Sequence, residues 1–185
     1  MATENCKGAL FIMPNVYFDM DGVLVNFNKF AYTHFPDLMR VPGTQTFFWD
    51  TINTRCGTDF WADLEPIQMG LDLLTEIQKL PGVNTCVLTA IPNYDGTNAN
   101  VKENARVGKI KWVADHIGDI PFLMTRRREK INYCVDRHSV LIDDFSKTVD
   151  EWNACGGLGI LFDQRNPEMK ELVLEKFYDF YGSGI

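Results

Sequence analysis

Asp19 and Asp21 stand one residue apart, directly after the apolar run Val16-Tyr17-Phe18 and before Gly22. Two carboxylates at a strand end can differ in role, because the chain turns there and glycine permits backbone geometry closed to other residues. Asp19 can face an electrophilic phosphorus while Asp21 faces the oxygen that departs. A second pair, Asp143-Asp144, follows the run Val140-Leu141-Ile142, and Thr89 and Thr125-Arg126 close two further runs. Should these ends meet, four acids would share one crevice, and like charge would oppose their ionisation unless a cation were present. Mg²⁺ suits, because it joins a few carboxylates to substrate phosphate and keeps its waters. The chemistry expected is therefore phosphoryl transfer. Taken singly, each motif has a plainer meaning: a turn or cap for Asp-x-Asp, a helix N-cap for Asp143-Asp144, a β-branched strand end for Thr89.

Such a meeting needs elements to bring it about. Five short apolar runs, at 16–18, 85–88, 121–124, 140–142 and 159–162, alternate with stretches of helical spacing. That alternation is the pattern of an α/β fold with a Rossmann-like parallel five-stranded sheet, in which ligands bind beyond the carboxyl ends of the strands. Helices are expected at 70–80, around Ile110, Val113, Ala114 and Ile117, and at 169–178, each read as presenting a core face. Residues 27–66 break the alternation: they are rich in aromatic residues, contain Pro36, Pro42, Gly43 and Gly57, and are too long for a strand-to-helix loop. The expectation is one domain over 1–185, with its core at 13–26 and 67–185 and a small helical cap at 27–66. Residues 1–12 could be a leader, with Met13 a plausible start.

Composition narrows the classes of function. At 185 residues, 45% apolar and 23% charged, the chain is an ordinary globular protein. A net charge of −7 gives no broad basic surface for nucleic acid, so a bound phosphate would have to meet a local cluster such as Arg126-Arg127-Arg128 with Lys130. The five cysteines are widely spaced with no CxxC pair, which suggests reduced thiols in a cytoplasm rather than zinc or a disulfide framework. No apolar stretch approaches a membrane span.

The set Asp-x-Asp-Gly-Val, Leu-Thr-Ala at a strand end, a helical lysine and Leu-Ile-Asp-Asp resembles the four motifs of the haloacid dehalogenase (HAD) superfamily of aspartyl phosphatases. The resemblance covers nearly the whole chain and tightens to the 5′(3′)-deoxyribonucleotidases on Asp19 to Leu24 with Phe27, Phe35-Pro36-Asp37, Phe48-Trp49, Leu64-Glu65-Pro66, Lys109 with Trp112-Val113, Thr125-Arg126 and Leu141 to Asp144. It implies a HAD-like fold, Asp19 as nucleophile and Asp21 as acid and base. It also implies Mg²⁺ held by Asp19, the Asp21 carbonyl and Asp144, with Asp143 beside them. Thr89 and amides near Asp21 and Ala90 would grip phosphate oxygens. Lys109 would supply positive charge, and a place near a helix start, where anions are welcome, would suit it; Lys102 and Lys111 are its rivals.

For substrate, the resemblance implies a deoxyribonucleoside 5′-monophosphate. Phe27, Phe48 and Trp49, with Phe60 and Trp61 nearby, could sandwich a base, or could simply be the core of the cap. Phe27 would belong to an apolar patch that rejects the 2′-hydroxyl of a ribose. Arg126 and one of Arg128 or Lys130 would touch substrate near the phosphate or base, unless the run is merely solvated. Ala90 and Asp50 depart from the family pattern, where a serine and an apolar residue are usual. The alternatives are a phosphatase for a sugar phosphate or a nucleic-acid 3′-phosphate, or a catalytically silent nucleotide-binding protein. Partners expected are a small nucleotide substrate and at most a second copy in a homodimer; membrane and nucleic acid are not expected.

Overall fold

The computed structural model describes residues 14–39 and 45–182. Pro42, Gly43, Met13 and the suggested leader lie outside the described residues. The five apolar runs form strands β1 (Asn15–Phe18), β2 (Asn84–Ala90), β3 (Phe122–Thr125), β4 (Ser139–Asp143) and β5 (Leu158–Leu161). They pair in parallel in the order β3-β2-β1-β4-β5. This is a Rossmann-like α/β sheet, and both faces are covered, which is why the strands read as continuous apolar runs rather than alternating ones.

The pleat sends neighbouring side chains to opposite faces. Val16 and Phe18 of β1 enter the larger core with Val87, Val140 and Ile142. Tyr17 turns the other way, into a smaller cluster with Leu88, Leu141 and Trp152. Because β1 is central and the chain leaves it in both directions, the strand order reverses there, and the carboxyl ends of β2, β1 and β4 stand side by side at the switch point where α/β sheets place their ligands.

The stretch after β1 folds into four helices: α1 (Phe27–His34), α2 (Pro36–Met39), α3 (Gln45–Arg55) and α4 (Asp59–Ala62). The crossover to β2 is completed by α5 (Gln68–Gln78). Between β2 and β3 runs α6 (Asn100–His116), between β4 and β5 α7 (Ser146–Ala154), and α8 (Met169–Gly182) closes the chain. A 3₁₀ helix, Arg127–Tyr133, joins β3 to β4.

The expected face of α6 is corrected. Ile110 and Ala114 are exposed, and the buried stripe is Val101, Ala105, Gly108, Lys109, Trp112 and Val113. The reason is a close crossing with α4. A Cβ on Gly108 would stand 2.5 Å from the Thr58 carbonyl oxygen and from the Trp61 Cβ. Only glycine lets the two helices approach this far, and Trp112 Nε1 then donates to the Leu64 carbonyl at 2.7 Å. The helix also begins nine residues before Lys109, at Asn100, so the macrodipole argument for that lysine does not apply; its placement has a different cause.

Candidate active site

Asp19 follows the last residue of β1, and its amide donates to the Ile142 carbonyl of β4 at 2.9 Å, locking the two strand ends together. The next residues turn tightly: the amides of Leu24 and Val25 both donate to the Met20 carbonyl at 2.9 Å. Gly22 adopts φ +81° at this turn, and a Cβ there would collide with the Asp144 carboxylate. The turn that begins after Asp19 thus leans against the acid delivered by β4.

Asp19, Asp143 and Asp144 each offer a carboxylate oxygen, all within 4.8 Å of one another. Mg²⁺ holds its oxygens at about 2.1 Å, so opposed ligands stand about 4.2 Å apart, close to this spread. The expected convergence of four acids is refined in two respects. Asp143 has both oxygens engaged, with Lys130 Nζ at 2.7 Å from Oδ2 and the Phe145 amide at 2.9 Å from Oδ1, and it is fully buried. Asp19 and Asp144 are therefore the carboxylates free to meet an ion. The Asp21 carboxylate points elsewhere, to Lys109.

Electrostatics fit a cation between them. Burial, then the charges of Asp19, Asp143 and Asp21, pushes the Asp144 carboxyl up to about 7. Burial and the Asp19 charge raise Asp143 to about 6 against the pull of Lys130. Lys130 is 1% exposed and lies 2.9 Å from Asp19 Oδ1. Burial pulls its ammonium down, but the two carboxylates outweigh that and hold it above the usual lysine range. When ionised, three carboxylates with one ammonium keep two negative charges, which one divalent ion balances.

Lys130 is thus not the exposed substrate contact that its basic run suggested. It is the counter-ion between Asp19 and Asp143. Arg127 turns away to Glu151 at 2.8 Å and to the Phe145 ring at 5.5 Å. Arg126 and Arg128 stay exposed. The sequence signal for Lys130 was its position in a run of cations; nothing local distinguishes a buried member of such a run from a solvated one.

The second lysine, Lys109, is fully buried and reaches from α6 to Asp21 Oδ2 at 2.6 Å, Thr89 Oγ1 at 2.8 Å and the Ala90 carbonyl at 3.1 Å. Burial holds the Asp21 carboxyl above its ordinary range, with Lys109 opposing. Its Oδ1 is buried with no hydrogen-bond partner among the described residues. The rivals Lys102 and Lys111 are exposed. Nζ of Lys109 also sits 4.9 Å over the Trp61 ring, which links this site to the aromatic residues.

Those rings divide into two sets. Phe48, Phe60 and Trp61 are buried, whereas Phe27 and Trp49 keep part of their surface open. Trp61 stacks on Trp49 at 5.5 Å and on Phe27 at 6.0 Å, while Phe48 meets Phe27 edge-on at 6.5 Å. Much of the expected sandwich is the interior of the insert, and of these five rings Phe27 and Trp49 are the two that are only half-buried.

No family model matches the chain, and no curated protein matches it significantly. Among solved structures, it is similar to a HAD-family enzyme from Bacteroides thetaiotaomicron in complex with magnesium and inorganic phosphate, at 14% identity and TM-score 0.46, over 83% of this chain and 96% of that one. A predicted HAD-like hydrolase from Porphyromonas gingivalis matches at 12% identity and TM-score 0.49, over 89% and 98%. The L-2-haloacid dehalogenase from Xanthobacter autotrophicus matches at 11% identity and TM-score 0.48, over 91% and 88%. Among the described residues, no helix is long and apolar enough to cross a membrane.

Proposed function

We propose that this chain is a Mg²⁺-dependent phosphatase of the HAD type that hydrolyses deoxyribonucleoside 5′-monophosphates through a phosphoryl intermediate on Asp19. The observation that carries the reading is the pairing of two buried lysines with two carboxylates one residue apart, Lys130 with Asp19 and Lys109 with Asp21. It gives the two acids different work.

Asp19 accepts the Met20 amide at 2.7 Å and Lys130 Nζ at 2.9 Å on the same oxygen, Oδ1. Oδ2 is then the attacking atom. It bonds to phosphorus as the bond from phosphorus to the 5′ oxygen breaks, and that oxygen takes a proton from Asp21. Asp21 suits the acid role because burial favours its protonated form. A water then attacks the phosphorus of the acyl phosphate, gives its proton to Asp21, and frees Asp19 and inorganic phosphate. Lys109, the Thr89 hydroxyl and the Ala90 amide surround the phosphoryl oxygens and stabilise the charge that builds on them.

Asp19, Asp144 and the Asp21 carbonyl would hold the ion, with Asp143 steering through Lys130. When bound, Mg²⁺ supplies positive charge between the anionic carboxylate and the anionic phosphate. Phe27 and Trp49 would pack on sugar and base, and burial of an unpaired 2′-hydroxyl against Phe27 would disfavour ribonucleotides. Arg126 and Arg128 would meet the substrate at the rim.

The test is a rate panel of matched deoxy- and ribonucleoside 5′-monophosphates with and without Mg²⁺. Hydrolysis that needs the metal and favours the deoxy series is expected. Equal rates on ribonucleotides, or faster rates on sugar phosphates, would sink the substrate assignment, and full activity in chelator would sink the metal assignment.

A further inference from the structure

A loop follows β2 directly, and it is fastened to the aromatic insert. Tyr94 donates its hydroxyl to Asp50 Oδ1 of α3 at 2.6 Å, and the Asn98 amide donates to the same hydroxyl at 2.9 Å. One residue on, Asp95 Oδ1 accepts the Thr46 hydroxyl of α3 at 2.6 Å. Tyr94 is 6% exposed, and Gly96 folds so closely over it that a Cβ there would stand 2.4 Å from the phenol oxygen. A loop with a buried aromatic residue, three short hydrogen bonds and a glycine pressed on the ring is a built contact, not a passing one.

These contacts complete a closed circuit. From Thr89 and Ala90 the chain runs to Tyr94; Tyr94 holds Asp50 of α3; the adjoining Trp49 stacks on Trp61; Trp61 lies over Lys109; and Lys109 returns to Thr89 and the Ala90 carbonyl. The helix that carries Phe48 and Trp49 is thus seated relative to the phosphate-gripping end of β2 from two directions, by the Tyr94–Asp50 and Asp95–Thr46 pairs on the loop side and by the Trp49–Trp61 stack on the other, with Asn104 donating to Asn53 at 2.7 Å from α6. The buried Trp61 is fixed by its own packing, so the polar, reversible half is the loop side, in which Tyr94 with Asp50 is the part-buried pair and Asp95 with Thr46 the exposed one.

We propose that Tyr94 and Asp50 are positioning residues that set which leaving groups the crevice accepts, by holding α3 at the height where its rings meet the organic part of the substrate. The inference rests on the phosphatase reading above and adds a source of selectivity to it. A bulky, flat leaving group such as a nucleoside needs α3 seated; a small one such as glycerol does not reach it. The phosphoryl chemistry at Asp19 is common to both.

The experiment compares Tyr94→Phe, Asp50→Ala and Asp50→Asn with the wild type on a deoxynucleoside 5′-monophosphate and on glycerol phosphate. Loss of one neutral-to-charged hydrogen bond predicts a KM for the nucleotide raised at least about tenfold in Tyr94→Phe and Asp50→Ala. The kcat for the nucleotide, and both constants for glycerol phosphate, should stay within about twofold, the resolution at which a hydrogen-bond loss is read. Asp50→Asn, whose amide oxygen still accepts, should restore most of the KM, and Tyr94→Phe combined with Asp50→Ala should cost no more than either alone. Changes that fall equally on both substrates, an additive double variant, or an unchanged nucleotide KM would overturn the proposal. If the wild type hydrolyses neither compound, the phosphatase reading fails; nucleotide binding followed by the fluorescence of Trp49 and Trp61 then decides this inference, with a weaker affinity in Tyr94→Phe supporting it and an equal one refuting it.

Discussion

The backbone of Gly22 lies against the carboxylate of Asp144, closer than any side chain at position 22 would permit. One residue comes from the turn after β1 and the other from the end of β4, so their contact fixes the distance between Asp19 and Asp144. A cation site made of those two carboxylates would exist only while that contact is kept.

Gly22→Ala should therefore cost metal affinity before it costs the fold. The methyl group meets Asp144 and also suffers the strain of φ +81°. We expect the thermal shift produced by Mg²⁺ to vanish while the far-ultraviolet circular dichroism of the variant matches that of the wild type.

Metal binding should depend on pH in a stated direction. Without an ion, Asp144 titrates near 7 and Asp143 near 6, both above an ordinary carboxylate. Below these values the folded apoprotein holds protons that an ion must displace, so Mg²⁺ affinity should rise from pH 5.5 to pH 8, about 5.5 to 8 spanning both titrations, with protons released on binding. The same raised values mean that the folded apoprotein binds more protons than the unfolded chain between about pH 4 and pH 7. The contribution of these groups to apoprotein stability should thus decline as pH rises through that window, and Mg²⁺ should restore it. Calorimetric titration at several pH values in buffers of different protonation enthalpy checks both signs.

Lys130→Met should destabilise the protein more at pH 8 than at pH 5. Removing the ammonium leaves Asp19 and Asp143 buried without their partner, a loss on the order of 3–5 kcal/mol for a buried pair when both are ionised. Protonation at low pH relieves the repulsion, so the deficit in denaturant midpoint should shrink there.

Asp21→Asn should slow turnover by about 10²–10⁴-fold, the usual worth of a positioned acid, with a smaller effect on substrates whose leaving oxygen needs no proton. The acid role is read from leaving-group release in a single turnover, because the later attack of water is slowed alike for every substrate; equal losses in that release on a nucleotide and on an acyl phosphate would remove Asp21 from the acid role.

Much of this was legible in the sequence because it depends on short-range pattern. Five apolar runs marked five strands, and the polar residues at their ends pointed to Asp19 and Asp144, which the fold brings within reach of one another, and to Thr89, which meets Lys109. The lysines were harder. Lys109 lies mid-helix, and the sequence pattern took Ile110 and Ala114 as the buried stripe; the close crossing at Gly108, which turns Lys109 inward, is a property of two helices nearly fifty residues apart. Lys130 sits in a cationic run whose members part company only through tertiary contact: Arg126 and Arg128 face out, Arg127 packs on α7, and Lys130 turns in to two carboxylates. The pairing of Tyr94 with Asp50 spans 44 positions and two unlike elements, so no local periodicity announces it.

The most direct test is to quench the protein in acid during incubation with Mg²⁺ and a deoxynucleoside 5′-monophosphate and to map its peptides by mass spectrometry. One added phosphoryl group on Asp19, removable by hydroxylamine and missing in Asp19→Asn, is the predicted result. Turnover with no label on Asp19, or undiminished turnover by Asp19→Asn, would contradict the account.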